Sequence, residues 1–323
     1  MRHGFPKVSQ ASPLMGDVFL TVSIDCECDK GRGWRSQRPL AFEGVYDGVA
    51  KRLQPLFEKY GAKPTYLISP EVMRDEKSVD VFSSLAAHAE LGTHLHGEYA
   101  DPGAFEPELT RVFQRDYPRE TERDKLQSTT KSFVSAFGNQ PRSFRAGRFG
   151  VGANTVGILE ELGYAVDSSI TPFMHWGDPG GEPFSFEHAP TQPYRPDASA
   201  PERTGSATLV EVPVTIRPRF FGRFPIVGKL VEPRWLRPTR GTGTQLVDVA
   251  REEIREARRA RAERAVVLNA MFHNVEVIPN GSPYAATEGQ ARAILERLET
   301  LLAFAKSESI RSIGLTDVAE LVA

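Results

Sequence analysis

Short apolar runs alternate with amphipathic stretches along the chain. The run 18–24 is apolar and rich in β-branched residues, which predicts a buried strand. The stretch 42–60 has apolar side chains at helical spacing and ends before Gly61, a suitable C-cap, while Pro55 favours a kink. The rhythm continues and predicts strands at 65–69, 91–94, 143–145, 164–167, 209–214, 265–271 and 312–315, and helices at 79–89, 124–137, 154–162 (capped by Asn154), 246–262, 291–306 and from Thr316.

Strands that alternate with helices predict a parallel sheet with helical crossovers. Seven or eight such units favour an α/β fold, a deformed (β/α) barrel of about seven parallel strands, over an open sheet, which the pattern does not exclude. We expect a tail at 1–16 and one domain at 17–323.

Two stretches, 172–203 and 217–244, interrupt this rhythm. The first is rich in Pro, Gly, Ser and aromatic residues, and the second combines many arginines with Phe220, Phe221, Phe224 and Trp235. Long ordered loops on a barrel carry substrate contacts or, alternatively, are surface insertions or dimer contacts.

The composition and charge of the chain limit the classes of protein and partner that fit it. The 323 residues are 40% hydrophobic and 25% charged, which suits a globular protein with a sizeable core. A net charge of -2 does not favour a nucleic-acid partner. Two cysteines cannot build a disulfide framework, and there is no apolar signal region and no apolar run of about 20 residues. We therefore expect a cytoplasmic protein without a membrane span, with self-association left open.

An acidic cluster, Asp25-Cys26-Glu27-Cys28-Asp29, follows the first predicted strand directly. If the backbone stays extended, its three carboxylates share one face and the cysteines share the other. Carboxylates so close together repel one another unless a cation lies among them, and active sites form at this end of barrel strands. An isolated D-x-E would suit a solvated acidic turn better than a metal site.

Two histidines follow the third predicted strand in Gly92-Thr93-His94-Leu95-His96-Gly97-Glu98. Alternation places His94 and His96 on the same side, whereas a helical turn would bring Glu98, four residues after His94, to the same point. Imidazole and carboxylate groups suit zinc and similar divalent metals.

Three further strand ends carry polar side chains: Arg145, Asp167 and His273. An imidazole such as that of His273 can deliver a proton to a leaving amine. Arg145 could orient a catalytic carboxylate, and Asp167 could hold His273 or Arg145. Each residue alone would suit a structural role, but convergence of such side chains from five strand ends is typical of a barrel enzyme.

These motifs resemble those of the NodB-like polysaccharide deacetylase family of carbohydrate esterases and related amide hydrolases. That family has, in order, T-F-D-D-G, H-[ST]-x-x-H, R-x-P-x-G, a strand bearing an Asp, and L-H, and the chain keeps this order from Ser23 to His273. Ser-Ile-Asp25-Cys-Glu27 is similar to divergent D-x-D and D-x-E variants, with Cys26 in place of the second Asp. Arg145-Ala-Gly-Arg-Phe is similar to R-A-P-x-F, with Gly147 in place of the proline.

The resemblance implies roles for particular residues. Asp25 would be the general base and His273 the general acid. His94 matches the first histidine of H-[ST]-x-x-H. The second metal ligand of that motif falls on Glu98 by spacing, or on His96 if an H-x-H subgroup is the right comparison. The full expected set is catalytic Asp25, His273, Arg145 and Asp167; metal-binding Glu27, His94, His96 and Glu98, with zinc as the expected ion; and substrate-binding Arg148, Phe149 and Trp176.

The implied activity is metal-dependent removal of an N-acyl group, such as acetyl, from a sugar or glycan precursor. The stretch 272–284 is similar to a subgroup associated with bacterial surface-polysaccharide synthesis. Two alternatives stay open: an amide or imide hydrolase of a small cyclic substrate, and a non-catalytic carbohydrate-binding relative that lost its chemistry at Cys26.

Overall fold

The structure, a computed structural model, describes residues 17–36, 38–104, 113–177, 182–219, 232–260 and 264–322. The predicted tail at 1–16, parts of both long loops, and Phe220, Phe221 and Phe224 lie outside these ranges. The strands, numbered along the chain, are β1 (Val18–Cys26), β2 (Pro64–Ile68), β3 (Glu90–Leu95), β4 (Ser143–Ala146), β5 (Val166–Asp167), β6 (His175–Trp176), β7 (Phe184–Ser185), β8 (Pro196–Asp197), β9 (Ala200–Thr204), β10 (Val210–Glu211), β11 (Ile216–Arg217), β12 (Arg234–Trp235), β13 (Val266–His273) and β14 (Arg311–Ser312).

Helices cover the sheet between these strands. The α-helices are α1 (Gln54–Tyr60), α2 (Glu76–Leu85), α3 (Arg119–Phe137), α4 (Thr155–Glu161), α5 (Gly243–Ala260), α6 (Glu288–Ser307) and α7 (Leu315–Ala319). A π-helical segment, Gly44–Leu53, runs directly into α1, and single 3-10 turns lie at Val72–Arg74, Gly97–Tyr99, Gln114–Asp116, Gly147–Phe149 and Asn274–Val277. Of the helices in the described ranges, none has the length and hydropathy needed to cross a bilayer.

The main sheet has seven parallel strands in the order β10-β5-β4-β3-β2-β1-β13, with β14 paired to β1. β1 lies between β2 and β13 and is buried almost throughout, which explains its continuous apolar run. The curved sheet and its flanking helices confirm the predicted deformed (β/α) barrel. The two long loops form small antiparallel pairs of their own, β6 with β7, β8 with β9, and β11 with β12.

A buried asparagine joins the two edges of this sheet. The Asn269 carbonyl on β13 accepts from the Thr215 N–H at 3.0 Å, just beyond β10. The Asn269 side-chain amide donates to the Val212 carbonyl at 3.1 Å, and the Asn269 backbone N–H donates to Thr215 Oγ1 at 2.8 Å. These bonds replace a regular strand pair where the barrel would otherwise stay open.

The register of the strands determines which side chains meet at the carboxyl end of the barrel. Asp25 lies opposite His273 between β1 and β13, and His94 lies opposite Arg145 between β3 and β4. Because parallel strands all end at the same edge, these four residues meet above the buried core.

Two predicted helix ends show what local sequence does and does not decide. Gly61 ends α1 with φ of +63°, as expected for a glycine C-cap. Asn154 was expected to cap α4, but this is wrong, because its side chain makes no capping bond. Its own backbone is already helical, whereas a capping residue needs an extended backbone. The Thr155 hydroxyl instead accepts from the Gly152 N–H at 3.0 Å.

Candidate active site and metal centre

Asp25 and Glu27 lie at and just after the end of β1, and each is only 2% exposed. Asn274, directly after β13, holds the backbone of Glu27 with two bonds. Its side-chain oxygen accepts from the Glu27 N–H at 2.9 Å, and its amide donates to the Glu27 carbonyl at 3.0 Å. These two hydrogen bonds keep the chain extended past the strand, so that the Asp25 and Glu27 carboxylates enter the same site.

The third carboxylate of the acidic cluster lies elsewhere. Asp29 accepts from the N–H groups of Glu43 and Gly44, both at 2.9 Å, at the start of the π-helical segment. The expectation that three carboxylates share one face is therefore wrong for Asp29, because unpaired N–H groups at the beginning of a helix attract it. Cys26 and Cys28 are free thiols in the interior.

Glu27, His94 and His96 form the candidate metal centre. Glu27 Oε1 lies 3.2 Å from His94 Nε2 and 2.8 Å from His96 Nε2. One ligand atom from each residue lies within 4.8 Å of the others, and all three side chains are buried.

The hydrogen bonds around His94 show why this group fits a cation. His94 Nδ1 lies 3.0 Å from the Arg145 carbonyl, which can only accept, so Nδ1 carries the proton. In the neutral imidazole, Nε2 then presents a lone pair to the Glu27 carboxylate. Two acceptors facing each other in a buried site suit a divalent ion between them, and one carboxylate with two imidazoles is a common zinc donor set.

Glu98 is not part of this candidate metal-binding group, although its spacing from His94 would allow it. Its carboxylate pairs with both terminal nitrogens of Arg148 and lies 3.6 Å from His96 Nδ1. The structure thus places His96 against Glu27, with Glu98 behind His96. Burial lowers the pKa of His96, but the Glu27 and Glu98 carboxylates outweigh it and raise that pKa to about 9.

Lys30 was not anticipated from the sequence. Its ammonium group is buried and lies 2.8 Å from Glu27 Oε2, which leaves Oε1 facing the two histidines. Burial alone would raise the pKa of Glu27, but Lys30 and His96 hold it well below its usual range. The signal available in the sequence is a lysine three residues after the acid.

Asp25 is held by a fully buried arginine. Arg145 Nη1 donates to Asp25 Oδ1 at 2.7 Å, while its other nitrogens bond the Ser23 and Ser168 hydroxyls and the Ser168 carbonyl. Burial raises the pKa of Asp25, yet Arg145 and the neighbouring histidines lower it below its ordinary value. The second oxygen, Oδ2, lies 3.8 Å from His273 Nε2. Asp25 is therefore an ionised, oriented carboxylate within the site.

His273 is oriented by Glu276, a residue that the motif comparison did not indicate. His273 Nδ1 lies 3.0 Å from Glu276 Oε1, and the buried Glu276 also pairs with Arg237. The Trp34 ring and the His273 imidazole form a T-shaped contact, with their centroids 4.9 Å apart. The turn Asn274–Val277 brings Glu276 back to its own strand end, so the three-residue spacing could have identified it.

Asp167 has different partners from those expected. Its Oδ1 accepts from the Ser169 hydroxyl at 2.5 Å, and it lies beside Glu211 on the adjacent strand β10. No hydrogen bond within the described ranges joins it to His273 or Arg145. Burial raises the pKa of Asp167 to about 6, and burial together with Asp167 raises that of Glu211 well above its usual range. The pair therefore keeps a proton at neutral pH.

Replacing Glu211 with glutamine removes the proton that Asp167 and Glu211 share, and this change is expected to stabilise the protein at high pH. In the unfolded chain the carboxyls ionise near their ordinary pKa values, 3.8 for Asp167, whereas the folded pair retains protons to higher pH. Since the folded state binds more protons, the free energy of unfolding falls as pH rises from about 4 through about 6 and beyond. Glu211→Gln should raise that free energy at pH 8 by an amount on the order of 1–3 kcal/mol.

Denaturant unfolding between pH 4.5 and 8.5 measures this effect. The gain of Glu211→Gln over the parent should shrink as pH falls, and Glu320→Gln, a change at an exposed position, should show no such trend. A Glu211→Gln protein that is less stable than the parent at pH 8 would contradict the shared-proton description.

A cavity of about 940 Å³ opens above these residues, near the upper end of the range for small-molecule sites. Asp25, Glu27 and the histidines lie among its lining residues. One wall is aromatic, with ring centroids 5.3 Å apart for Phe149 and Trp176 and 5.9 Å apart for Phe149 and Trp235. Both tryptophans come from the long loops, so these loops do reach the cavity.

Gly147 stands where the related family motif has proline, and its surroundings explain the difference. A Cβ atom there would lie 2.5 Å from the Leu95 carbonyl and 2.9 Å from His96 Nδ1. The position in which the related motif has proline therefore admits only hydrogen, because the Leu95 carbonyl and the His96 ring occupy the space. Arg148 and Phe149, which follow, both have positive φ (55° and 56°), a strained conformation that turns this segment towards the cavity.

Comparison with known proteins establishes the fold. No protein-family model and no curated protein sequence matches the chain. Among solved structures, a protein of Mycobacterium smegmatis assigned as a polysaccharide deacetylase is 19% identical with a TM-score of 0.53, over 95% of this chain and 91% of that one. A Parabacteroides distasonis protein assigned as a glycoside hydrolase/deacetylase is 12% identical with a TM-score of 0.63, over 96% and 72%. The allantoinase PuuE is 15% identical with a TM-score of 0.57, over 95% and 90%.

The chain thus has the NodB-like deacetylase fold, and the resemblance noted in the sequence is confirmed for the fold. The H-x-H subgroup is not confirmed by these similarities. At such identities the likeness defines the architecture, and the chemistry has to be argued from the site itself.

Proposed function

We propose that this protein is a metal-dependent hydrolase that removes an N-acyl group from an amino sugar. The observation that carries the proposal is the buried group Glu27, His94 and His96, which lies beside Asp25, bonded to Arg145, and His273, bonded to Glu276. Such a set combines a metal site, a base and an acid in one cavity, as amide hydrolysis requires.

Glu27, His94 and His96 would hold the metal, and zinc is the ion that this donor set favours. The chemistry supplied at this position by a bound divalent ion is polarisation of the acyl carbonyl and acidification of water. Lys30 directs Glu27 Oε1 towards the site by occupying Oε2. Glu98 supports His96 from its Nδ1 side, as outer carboxylates commonly do for ligand histidines.

Proton transfers are assigned to Asp25 and His273. Asp25 takes a proton from water on Oδ2, since its other oxygen is bonded to Arg145. As water oxygen bonds to the acyl carbon and the C–N bond breaks, His273 Nε2 gives a proton to the departing nitrogen. Glu276 accepts from Nδ1 and stabilises the protonated imidazole before the transfer. The products are a carboxylate and a free amine.

The cavity supports a carbohydrate rather than a very small substrate. Phe149, Trp176 and Trp235 offer ring surface for packing against sugars, and the volume of about 940 Å³ admits more than one sugar ring. Arg148 lines the same cavity but is paired with Glu98, so we propose an indirect role for it in substrate binding. A role in surface-polysaccharide synthesis stays a prediction.

Hydrolysis of a small cyclic amide is the second candidate. It is favoured by the likeness to the allantoinase PuuE, which extends over 95% of this chain. A non-catalytic role has less support, because Cys26 is buried in the main core while Glu27 supplies a carboxylate to the site.

Acetate release separates these functions. The zinc-loaded protein should release acetate from N-acetylated sugars, lose the activity on chelation and regain it when zinc is restored. Ring opening of hydantoin-type substrates without acetate release would instead favour the second candidate. If the metal-loaded protein, tested with both substrate panels, hydrolyses neither, the proposed function is wrong.

A further inference from the structure

A buried lysine holds one oxygen of the acid in the candidate metal centre. Lys30 is 7% exposed, and its ammonium nitrogen lies 2.8 Å from Glu27 Oε2. The other oxygen, Oε1, lies 3.2 Å from His94 Nε2 and 2.8 Å from His96 Nε2. The two oxygens of Glu27 therefore have different neighbours, a cation at one and two imidazoles at the other.

The surroundings of Lys30 hold its ammonium group at this position. The same nitrogen lies 3.9 Å from Cys28 Sγ and 5.2 Å from the centroid of the Tyr99 ring, and both of those side chains are buried. The Lys30 carbonyl accepts from the Arg35 N–H at 2.9 Å, which fixes the backbone of the lysine. Moving the ammonium group away from Glu27 is costly, because its charge would then lie in the interior without a partner.

Asp25 is restricted in the same way. Its Oδ1 accepts from Arg145 Nη1 at 2.7 Å, which leaves Oδ2 on the side of the site, 3.9 Å from His94 Nε2. Each of the two acids thus has one oxygen bound by a basic side chain and one oxygen left for a ligand. Within the candidate metal centre itself, Glu27 offers one oxygen beside the two imidazole nitrogens of His94 and His96.

Divalent ions differ in how well such a donor set suits them. Zinc binds imidazole strongly, needs few ligands and accepts a carboxylate through a single oxygen. Manganese and calcium favour oxygen ligands, and calcium takes more of them, including both oxygens of one carboxylate. Loss of one Glu27 oxygen to a lysine therefore weakens the binding of manganese or calcium more than that of zinc.

We propose that Lys30 determines the metal specificity of this site: by holding Glu27 Oε2 it limits this acid to one oxygen ligand, and it thereby selects zinc over ions that prefer oxygen. This inference rests on the metal site of the proposed function and goes beyond it, because it assigns the choice of ion to a residue outside the ligand set. Lys30 is a positioning residue in this description, since it acts through Glu27.

Competition titrations of the full, metal-free chain with zinc and with manganese measure this specificity without any substrate. Lys30→Leu removes the charge and cannot donate a hydrogen bond, so both Glu27 oxygens become available. We expect the ratio of zinc affinity to manganese affinity to fall by about tenfold or more, chiefly because manganese binds more tightly. Lys30→Ala, a smaller uncharged variant, should change the ratio in the same direction.

Two further variants separate the effect of the charge from a general disturbance. Lys30→Arg keeps a cation beside Oε2 and should keep the ratio within about threefold of the parent, because a guanidinium group also binds a carboxylate. Lys63→Leu is the matched control and should leave the ratio unchanged. Lys63 Nζ also lies 2.8 Å from a carboxylate oxygen, that of Asp317, but Lys63 precedes β2, at the opposite end of the strand from the site.

The possible results distinguish this inference from the proposed function. An unchanged ratio in Lys30→Leu and Lys30→Ala, loss of both ions in these variants, or an equal change in Lys30→Arg would each overturn the role of Lys30. A parent protein that binds zinc and manganese equally well would do the same and leave the metal centre standing. A parent protein that binds neither ion would refute the metal centre and, with it, the proposed function.

Discussion

Asp25→Asn is expected to lower kcat/KM for amide hydrolysis by roughly 10²–10⁴-fold, the usual contribution of a general base. Asparagine keeps the size of the side chain and can still accept from Arg145, but it cannot take a proton from water. The bonds from Arg145 to Ser23 and Ser168 should keep the buried guanidinium in place. The loss should therefore appear in kcat rather than in metal content.

Acetate-release kinetics, with zinc content measured on the same samples, would test this effect. Asp29→Asn is the matched control, since it changes an aspartate in the same cluster that bonds Glu43 and Gly44 instead of facing the cavity. That control should retain its activity. An Asp25→Asn enzyme with normal zinc and activity within about tenfold of the parent would assign the base role to another group.

Removal of either histidine of the candidate metal centre is expected to cause a large loss of zinc affinity. His94→Ala and His96→Ala should each weaken zinc binding by more than about 100-fold, because each deletes one of the three proposed protein ligands. Glu98→Gln should weaken it less, by about 10–100-fold, since Glu98 contacts the Nδ1 side of His96 and is not itself a member of the ligand cluster.

Zinc content after dialysis against a weak chelator, combined with competition titration, ranks these variants. His175→Ala, which alters an exposed histidine far from the cluster in sequence, should bind zinc like the parent. If Glu98→Gln lost as much affinity as His94→Ala while His96→Ala kept its zinc, the third ligand would be Glu98 and the arrangement around His96 would need revision.

Much of the barrel follows from local patterns in the sequence. The apolar run at 18–24 predicts a buried strand, and the structure extends it to Val18–Cys26. The stretch 42–60 is helical as its spacing indicates, but its first part is π-helical and the α-helix begins just before Pro55. Periodicity is informative here because burial of one face of each helix, or both faces of a central strand, determines which positions must be apolar.

Part of the site follows from the same logic. Asp25, His94, Arg145 and His273 are each the last or last but one residue of a parallel strand, and such ends meet at one edge whatever the exact register. Their proximity could therefore be predicted without knowing how the loops fold. Spacing could not decide between His96 and Glu98, because extended and helical continuations of β3 bring different side chains to the same point.

Short-range periodicity and the geometry of parallel strands predict the order of the strand ends and the residue types that meet there. They favour a barrel, although an open sheet fits the same alternation of strands and helices. The partners of the site residues are evident in the folded molecule alone: Glu276 rather than Asp167 for His273, Lys30 for Glu27, and the start of a helix for Asp29. Such pairings depend on where side chains from distant segments find a charge or an unpaired N–H group in the buried interior. That balance of burial and hydrogen bonding is a property of the folded molecule, and no local pattern encodes it.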